Sequence, residues 1–420
     1  MNGSKPEKYV RPNRKRLWVF FALVLVMFAT VACVNDLTPS GGWSAPIVED
    51  GKLYIGNLEG TLVKFDPETG SLDNWRYPRE EDGLGAIYGS PVIVGDNIYG
   101  VAYTCRGDNC EGEIYGLSLA DGFSIWGPRG LEVSTKLVGQ INVVGTTLLV
   151  GTSALGEEEN GTEGYLYALD TAPGSPRLKW RVPLDGNAWS GVTVEGTTAY
   201  VATMAGTLYA IDARDGDQFD SDPASRILWT FEAESAIAGP IHVEGNSIYF
   251  GDLGSNVYKL NMSSRSASSE TSEINTGNGE WKIDVGAWVW AKPVVENGVV
   301  FVSALDGSIH ALDETTGAEK WSSQIDGQIV AAPTLFDRKR GETRERALAV
   351  PSGEKNVWVI SVIDGRELGV FVTDEPVNST PLIYGENLYV LAMNGDLKWF
   401  TVDDTTKRGC IELKEGDRCD

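Results

Sequence analysis

The sequence predicts an all-β protein, an eight-bladed β-propeller with four antiparallel strands in each blade. Three observations lead to this prediction. The stretch from 289 to 321 reads as four short strands separated by turns, and copies of that stretch recur at intervals of about 50 residues. Patterns typical of helices are scarce among the 420 residues. A repeating unit of this length that consists of strands is typical of a propeller blade.

The stretch from 289 to 321 is the clearest copy of the repeat. A first strand ends at the Asn297-Gly298 turn, and an apolar, β-branched second strand ends at Asp306-Gly307. A third strand alternates polar and apolar residues up to Asp313, where an Asx-type turn begins, and a fourth strand follows. Because a lone four-stranded sheet cannot bury both of its apolar faces, it needs copies of itself on either side.

Turn glycines mark the copies. They close the first hairpin of seven units: Gly51, Gly95, Gly145, Gly196, Gly245, Gly298 and Gly385. The last interval is almost twice as long as the others, and it contains one more unit in which a charged insertion replaces the glycine. Eight units therefore follow one another from Trp43 to the C-terminus. One ring of blades accommodates a chain that is longer than the ~250–300 residues of a single conventional core.

The first 33 residues predict export. Residues 1 to 16 include six Lys or Arg, and an uninterrupted apolar run of 16 residues follows. This run is shorter than the ~20 residues of a membrane-spanning helix. The segment Thr30-Val31-Ala32-Cys33 resembles a bacterial lipobox, in which the cysteine is lipidated, although Thr30 stands where leucine is usual. Residues 1–33 are predicted to be a lipoprotein signal with Cys33 as the lipidation site, and an uncleaved signal anchor is the alternative.

Residues 34–42 are predicted to be a flexible tether, and residues 43–420 the propeller. Insertions distinguish the units from one another, and the longer ones are predicted at 105–110, 153–164, 214–226, 262–279 and 337–346. The last outer strand is predicted to come from residues 409–414.

The cysteines indicate an oxidising compartment. Apart from Cys33, they fall into two close pairs, Cys105 with Cys110 and Cys410 with Cys419. Paired cysteines are typical of extracytoplasmic proteins, and both pairs are predicted to be disulfides. The alternative is that all four are free buried thiols, but the loops beside Gly107 and Gly409 are poor places to bury them.

The formal net charge of −24 excludes nucleic acid as a general partner, because such an acidic surface repels polyanions. It indicates a soluble ring and carries no information about the fold.

The repeated pattern resembles the PQQ-like propeller repeat. Its close matches are Gly206-Thr-Leu-Tyr-Ala-Ile-Asp212 and Gly307-Ser-Ile-His-Ala-Leu-Asp313. The resemblance covers nearly all of the chain after Trp43. The family includes quinone-dependent alcohol dehydrogenases and the non-enzymatic outer-membrane assembly lipoprotein BamB, and a chain of eight units with a lipobox is more similar to the second.

Several repeated residues are interpreted as structural. A tryptophan recurs at the start of the outer strand in six units, where it would dock each blade on the next: Trp75, Trp126, Trp180, Trp229, Trp281 and Trp321. Aspartates at the ends of third strands are turn formers. His310 is one of two histidines and occupies the slot that holds tyrosine or tryptophan in other units, so a nucleophilic triad is not expected.

The sequence predicts no cofactor and no metal. The resemblance implies that a quinone dehydrogenase would carry an adjacent Cys-Cys pair over the cofactor, and the sequence has none. It also lacks a C-x-x-C-H haem site. Five aspartates between 212 and 222 offer carboxylates for Ca²⁺, yet their spacing lacks the order of a known calcium loop.

Two further groups are candidates for binding. Basic residues cluster in the unit-seven insertion, where a solvated loop is the expectation and a contact to an acidic partner the alternative: Arg338, Lys339, Arg340, Arg344 and Arg346. Four aromatic residues each precede an inner strand by three positions and are predicted to surround one mouth of the central channel: Trp43, Tyr88, Trp189 and Trp290. They either cover the core from above or form a binding rim.

The sequence therefore predicts an exported, membrane-tethered, monomeric propeller that is not an enzyme and binds a protein partner. Strand alternation places the aromatic mouth on one side of the ring, together with acidic residues at 80–82 and 157–163. This side is expected to bind a basic, partly apolar segment of the partner. The resemblance implies a BamB-like scaffold that works with a membrane-protein assembly machine. The alternative is a quinone-dependent dehydrogenase or a relative that binds a small ligand.

Overall fold

The computed structural model of the chain describes residues 42–79, 84–106, 109–127, 130–153, 164–174, 176–215, 223–265 and 270–419. The predicted lipidation site Cys33, most of the tether and much of the acidic insertion of unit three lie outside these residues. Gly42–Asp420 forms one compact unit, an eight-bladed β-propeller. The prediction of the fold class is confirmed.

Each blade is an antiparallel sheet whose strands follow chain order from the inside of the ring to the outside. Blade 1 consists of the strands Ile47–Glu49, Lys52–Gly56, Leu62–Asp66 and Ser71–Tyr77, and blade 2 of Val92–Val94, Asn97–Arg106, Asn109–Ser118 and Leu131–Val133. Blade 3 consists of Asn142–Val144, Thr147–Gly151, Gly164–Asp170 and Leu178–Leu184, and blade 4 of Val192–Glu195, Thr198–Ala202, Thr207–Asp212 and Ile227–Glu232.

Blade 5 consists of the strands His242–Glu244, Ser247–Gly251, Asn256–Asn261 and Trp281–Asp284, and blade 6 of Val294–Glu296, Val299–Ser303, Ser308–Asp313 and Glu319–Gln324. Blade 7 consists of Thr334–Arg340, Thr343–Pro351, Asn356–Ser361 and Glu367–Val372, and blade 8 of Leu382–Tyr384, Asn387–Leu391, Asp396–Thr401 and Asp404–Glu412. Short 3-10 helices occupy Pro223–Arg226, Met262–Ser264 and Thr276–Asn278. Among the described residues, no helix is long and apolar enough to cross a membrane.

The core is divided among the eight interfaces between neighbouring blades, because each sheet buries one apolar face against each neighbour. A separate cluster of buried side chains fills every interface. The ring closes in the same way: Leu53 and Phe65 of blade 1 pack with Tyr389, Leu397 and Ile411 of blade 8. Both closing blades are built from consecutive strands, so within the described residues the ring closes by packing and without exchange of a strand.

The repeated tryptophans join each blade to the next. The indole N–H of Trp281 donates to the carbonyl oxygen of Glu314 at 3.0 Å, and Trp321 donates in the same way to Val362 at 3.2 Å. The neighbouring turn must be narrow: Gly365 has a φ of 70°, and a Cβ there would lie 2.5 Å from the Trp321 ring. The position therefore requires glycine, and these tryptophans are structural.

Two insertions differ from expectation. The unit-seven insertion is an extension of the first hairpin, paired from Thr334 to Ala349 and turning at Gly341, so it is not a solvated loop. The unit-five insertion supplies a short strand, Glu270–Thr271, that pairs in parallel with the outer strand of blade 4. It is anchored by a buried ion pair between Arg265 and Glu280, at 2.8 Å.

Candidate functional site

The two sides of the ring carry different connections. One side, named the mouth face, carries the loops from strand two to strand three and those from strand four to the next blade. The other side, named the turn face, carries the turns from strand one to two and the connections from strand three to four. All four candidate aromatic residues precede first strands, and therefore lie at the mouth face.

Trp43 and Tyr88 form one aromatic cluster at this face. Their rings meet edge to face with centroids 4.6 Å apart, and Tyr88 stacks on Tyr103 with centroids 5.5 Å apart. Tyr88 is only 7% exposed, and burial raises the pKa of its hydroxyl. Trp43 is half-buried. Tyr88 thus supports the cluster from below, whereas Trp43 offers surface to a partner.

Trp189 and Trp290 form a second cluster, although they belong to blades 4 and 6. Their ring centroids are 6.4 Å apart, and the Trp189 indole N–H donates to Ser153 Oγ at 3.1 Å. Blade 5 has Ala238 at the equivalent position, and a Cβ on the following Gly239 would lie 2.0 Å from the Trp290 carbonyl oxygen. These small residues leave room for the two indoles to meet. The four aromatic residues therefore form two pairs, not one continuous rim.

Half-buried apolar residues at the tips of second hairpins extend the apolar surface of the mouth face. They are Leu58, Met204, Leu253, Leu305 and Met393. In four of these tips the backbone N–H of the apolar residue donates to a carbonyl oxygen of the connection that enters the blade. The pairs are Met204 with Asn187 at 2.9 Å, Leu253 with Ala236 at 2.8 Å, Leu305 with Trp288 at 2.8 Å and Met393 with Pro376 at 2.9 Å. These residues were not predicted from the sequence. The available signal was an apolar second residue in turns such as Ala304-Leu305-Asp306-Gly307, where polar residues are usual.

Trp288 is the largest exposed apolar side chain that the mouth face presents among the described residues, with 39% of its surface accessible. It lies on the connection from blade 5 to blade 6, two residues before Trp290. Its carbonyl oxygen holds the tip of the next hairpin through Leu305. An exposed tryptophan on an anchored loop is a typical contact residue for a protein partner.

Exposed carboxylates surround these apolar residues. They include Glu232, Asp284, Asp306, Asp326 and Glu354, from blades 4 to 7 and the connections between them. In the described part of the chain none of the five has a cationic partner. The acidic residues that the sequence places at this face, 80–82 and 157–163, lie outside the described residues. The mouth face therefore carries exposed carboxylates in blades 4 to 7 as well, whereas the sequence predicted them only in the first three units.

The basic residues of unit seven belong to a hairpin at the turn face, and four of them, Arg338, Lys339, Arg344 and Arg346, are paired within the ring. Arg346 binds Glu296 of blade 6 with a nitrogen to oxygen distance of 2.6 Å. Lys339 and Arg344 both approach Asp403, at 3.4 Å and 3.8 Å. The hairpin therefore braces blades 6 to 8, and the expectation of a solvated loop was wrong because these residues lie in paired strands.

His310 occupies the predicted aromatic slot. It pairs with Val302 and Ser322, as Tyr258 pairs with Phe250 and Lys282 in blade 5. Its Nδ1 lies 2.7 Å from Glu319 Oε2, and its Nε2 lies 3.0 Å from Ser308 Oγ. These are triad-like distances, but the Ser308 hydroxyl donates to Asp306 Oδ1 at 2.7 Å. Because the aspartate takes this hydrogen bond, the serine is not activated as a nucleophile.

The candidate carboxylates for Ca²⁺ are occupied by cations of the chain where they are described. Arg214 binds Asp212, and Lys179 of blade 3 binds Asp215 at 2.9 Å. The remaining aspartates of this cluster, at 217, 220 and 222, lie outside the described residues. Asp396 lies close to Cys410 and Cys419, but those sulfurs are bonded to each other and offer no thiolate.

Each close pair of cysteines forms a disulfide in the structure. The sulfurs of Cys105 and Cys110 are 2.00 Å apart, at the tip of the second hairpin of blade 2 on the mouth face. The bond between Cys410 and Cys419 joins the last outer strand to the C-terminal segment. It therefore fastens the strand whose Ile411 helps to close the ring.

Comparisons with known proteins place the chain in a family. The family described as Outer membrane protein assembly factor BamB matches residues 43–127, 110–265 and 219–417. BamB of Yersinia pestis is 26% identical over 280 residues, 63% of this chain and 67% of that protein. BamB of Escherichia coli K12 is 25% identical over 366 residues, 83% of this chain and 84% of that protein.

Two solved structures share the fold. The crystal structure of BamB from Moraxella catarrhalis superposes with a TM-score of 0.59 at 14% identity, covering 85% of this chain and 93% of that one. The computationally designed Ika8 protein gives a TM-score of 0.58 at 13% identity, covering 87% of this chain and 97% of that one. At such identities the likeness concerns the fold alone, whereas the sequence match covers most of the chain. The chain belongs to the outer membrane protein assembly factor BamB family.

Proposed function

We propose that this protein is a non-catalytic scaffold of outer-membrane protein assembly that binds a partner protein at its mouth face. Membership of the BamB family supports the process. The observation that carries the choice of face is the coincidence of half-buried and exposed apolar side chains with carboxylates that lack cationic partners within the described residues. Trp43, Trp189 and Trp288 supply apolar area, and the carboxylates steer a partner toward it.

The partner segment that fits this face is basic and partly apolar. An apolar side chain that covers Trp189 or Trp288 gains by leaving water, while Lys or Arg beside it finds unpaired carboxylates. The partner belongs to a membrane-protein assembly machine, and the propeller acts on it as a monomer without a cofactor. The alternative interpretation of the repeat is a quinone-dependent dehydrogenase. It is not favoured, because the matched family is described as an assembly factor.

The proposed location is the periplasmic side of a membrane, with a lipid on Cys33 as the anchor. The lipobox-like segment before Cys33 supports this proposal, and an uncleaved signal anchor is its competitor. A Cys33→Ser protein that loses its lipid and is released by salt washing supports the lipid anchor. A Cys33→Ser protein that remains membrane-bound and retains residues 1–32 supports the signal anchor.

The experiment for the function is crosslinking in native membranes followed by purification of the propeller. The wild-type protein is expected to capture components of an outer-membrane assembly machine. A variant with Trp189→Ala and Trp290→Ala is expected to capture less while the ring remains folded by circular dichroism. The function is wrong if the wild-type chain captures no such component. Equal capture by both proteins, with capture abolished on neutralising Arg338, Lys339 and Arg340, would move the binding site to the turn face.

A further inference from the structure

A polar pocket of about 370 Å³ opens at the mouth face beside blade 6. It is lined by Val285, Gly286, Asp306, Ser308, His310, Ser322, Ser323 and Gln324. These residues come from the connection that enters the blade, from the tip of its second hairpin and from its two outer strands. The pocket is referred to below as the blade 6 pocket.

The blade 6 pocket exists because a histidine replaces a tyrosine of the repeat. In blade 4 the Tyr209 hydroxyl accepts the N–H of Asp185 at 3.2 Å, and in blade 5 the Tyr258 hydroxyl accepts the N–H of Glu234 at 3.0 Å. Tyrosine thus fills the gap between the third strand and the preceding connection. His310 is shorter, and it bonds to Ser308 and Glu319 instead. The space that the phenol would occupy stays open.

The lining of the blade 6 pocket suits a cation. Only Val285 is apolar, whereas sites for small organic ligands are mostly apolar. Asp306 is exposed at its edge, Asp284 immediately precedes Val285, and Glu319 is held behind His310. The three serines add hydroxyl acceptors. Glu319 contacts His310 Nδ1, and Asp306 accepts from Ser308 beside the other ring nitrogen, so carboxylates lie on both sides of the imidazole.

The lysines nearest in sequence do not neutralise this charge. Lys320 binds Asp313 with a nitrogen to oxygen distance of 2.8 Å, and Lys282 binds Glu234. Within the described residues, Asp284 and Asp306 form no ion pair. A cation from outside the chain therefore meets carboxylates whose charge is not already balanced by a neighbour.

We propose that the blade 6 pocket receives a lysine or arginine side chain of the partner protein, with an adjacent apolar residue of the partner packed on Trp288. Trp288 is 39% exposed and lies two residues beyond the pocket residue Gly286. The long aliphatic part of the basic side chain passes along Val285 while its charged end reaches Asp306 and the serine hydroxyls. This inference rests on the proposed function and names the chemistry by which the partner is recognised.

Two histidines in the chain make a direct test practical. With ¹³C-labelled histidine the ring signals of His242 and His310 can be followed separately, and His242 lies on the inner strand of blade 5, outside the pocket. The probe is N-acetyl-arginine methylamide, and its neutral analogue N-acetyl-citrulline methylamide is the control. The His310 signal is expected to move saturably with the arginine probe and to stay in place with citrulline. Equal response to both probes, or no response of His310, overturns the cation site.

Variants connect the blade 6 pocket with the partner. His310→Tyr restores the residue of blades 3 to 5, so it closes the pocket without opening a cavity. Asp306→Asn removes one charge, and Glu68→Gln removes an equivalent charge from the turn face, outside the pocket. Asp306→Asn is expected to weaken binding of the arginine probe about fivefold, as for loss of one charge-assisted hydrogen bond, and Glu68→Gln to leave it unchanged.

Capture from membranes then separates the two proposals. His310→Tyr and Asp306→Asn are expected to reduce capture of the assembly partner severalfold, with melting temperatures close to that of the wild type. If both variants capture as much partner as the wild type, the pocket inference fails and the scaffold function stands. If the wild type itself captures no assembly partner, the scaffold function fails, whatever the arginine probe shows.

Discussion

The mouth face and the turn face of the ring have similar numbers of loops but use their charges differently. Most ion pairs of the described residues lie at the turn face, as in Lys52 with Asp66. The mouth face has fewer, among them Glu234 with Lys282. Other carboxylates of the mouth face, such as Asp326, have no cationic partner within the described residues and lie beside exposed apolar area. The turn face therefore carries most of the ion pairs that join strands and blades, and the mouth face retains unpaired charge and apolar surface for a partner.

The largest expected effect comes from removing two indoles of the mouth face, the half-buried Trp189 and the exposed Trp288. Trp189→Ala with Trp288→Ala is expected to weaken partner binding about thirtyfold, as for a hot spot of ~2 kcal/mol, since both side chains lose buried area in the complex. The measurement is the dissociation constant of the captured partner. Ile363→Ala is the matched control, because Ile363 is 81% exposed on the turn face. Equal losses in both proteins would mean that apolar exposure does not distinguish the faces.

Neutralising cations of the turn face should lower the stability of the ring and leave capture of the partner unchanged. Lys339→Gln with Arg344→Gln removes both cations that approach Asp403. We expect the free energy of unfolding to fall by at most about 1 kcal/mol, as for exposed ion pairs, and capture to be unchanged. Urea unfolding and membrane crosslinking measure the two quantities. Loss of capture by a folded variant would reverse the assignment of the faces.

The unpaired carboxylates should act on the rate of association. Asp326→Asn with Glu354→Gln is expected to slow association about threefold in low salt, because steering charges are lost, and to leave dissociation unchanged. The difference should vanish at 1 M salt, where the screening length is about 3 Å. Stopped-flow or surface-based kinetics provide the rates. Glu68→Gln with Glu386→Gln, at exposed positions of the turn face, should show no such dependence.

The smallest expected effect is on the stability of the ring at acidic pH. A hydrogen bond from Lys320 lowers the pKa of Asp313 to about 2, and one from Arg214 lowers the pKa of Asp212. Since these pKa values lie below those of the unfolded chain, the stabilisation is complete above about pH 4 and is lost as the pH falls toward 2. Asp313→Asn should therefore lower the urea midpoint at pH 7 and leave it unchanged near pH 2. Asp326→Asn at the mouth face should show no difference at either pH.

Local patterns predicted the fold well. Turns such as Asn297-Gly298 and alternating strands are encoded within a few residues, and their repetition along the chain made the pattern recognisable. The paired hairpin of unit seven was missed because charged residues from 337 to 346 resemble a loop until Glu296 and Asp403 of other blades are present to bind them. The added strand at Glu270–Thr271 was missed because its partner belongs to a different blade.

The candidate site was predicted only in part. Position in the repeat placed Trp43, Tyr88, Trp189 and Trp290 on one face, but burial and pairing depend on neighbours that the repeat does not specify. Tyr88 is covered by Tyr103 of its own blade and by Trp43, which precedes blade 1, whereas Trp288 is exposed beside the buried Trp290. The blade 6 pocket could be found only by comparison of His310 with the tyrosines of other blades in three dimensions.

Site-specific photo-crosslinking in native membranes tests the assignment of the working face most directly. A photoreactive residue replaces Ala205 or Asn394, both exposed on the mouth face, or Thr315 or Ile363, both exposed on the turn face. We expect crosslinked adducts with a protein of the outer-membrane assembly machine from the first two positions and none from the other two. Adducts from Thr315 or Ile363, with none from Ala205 or Asn394, would contradict it.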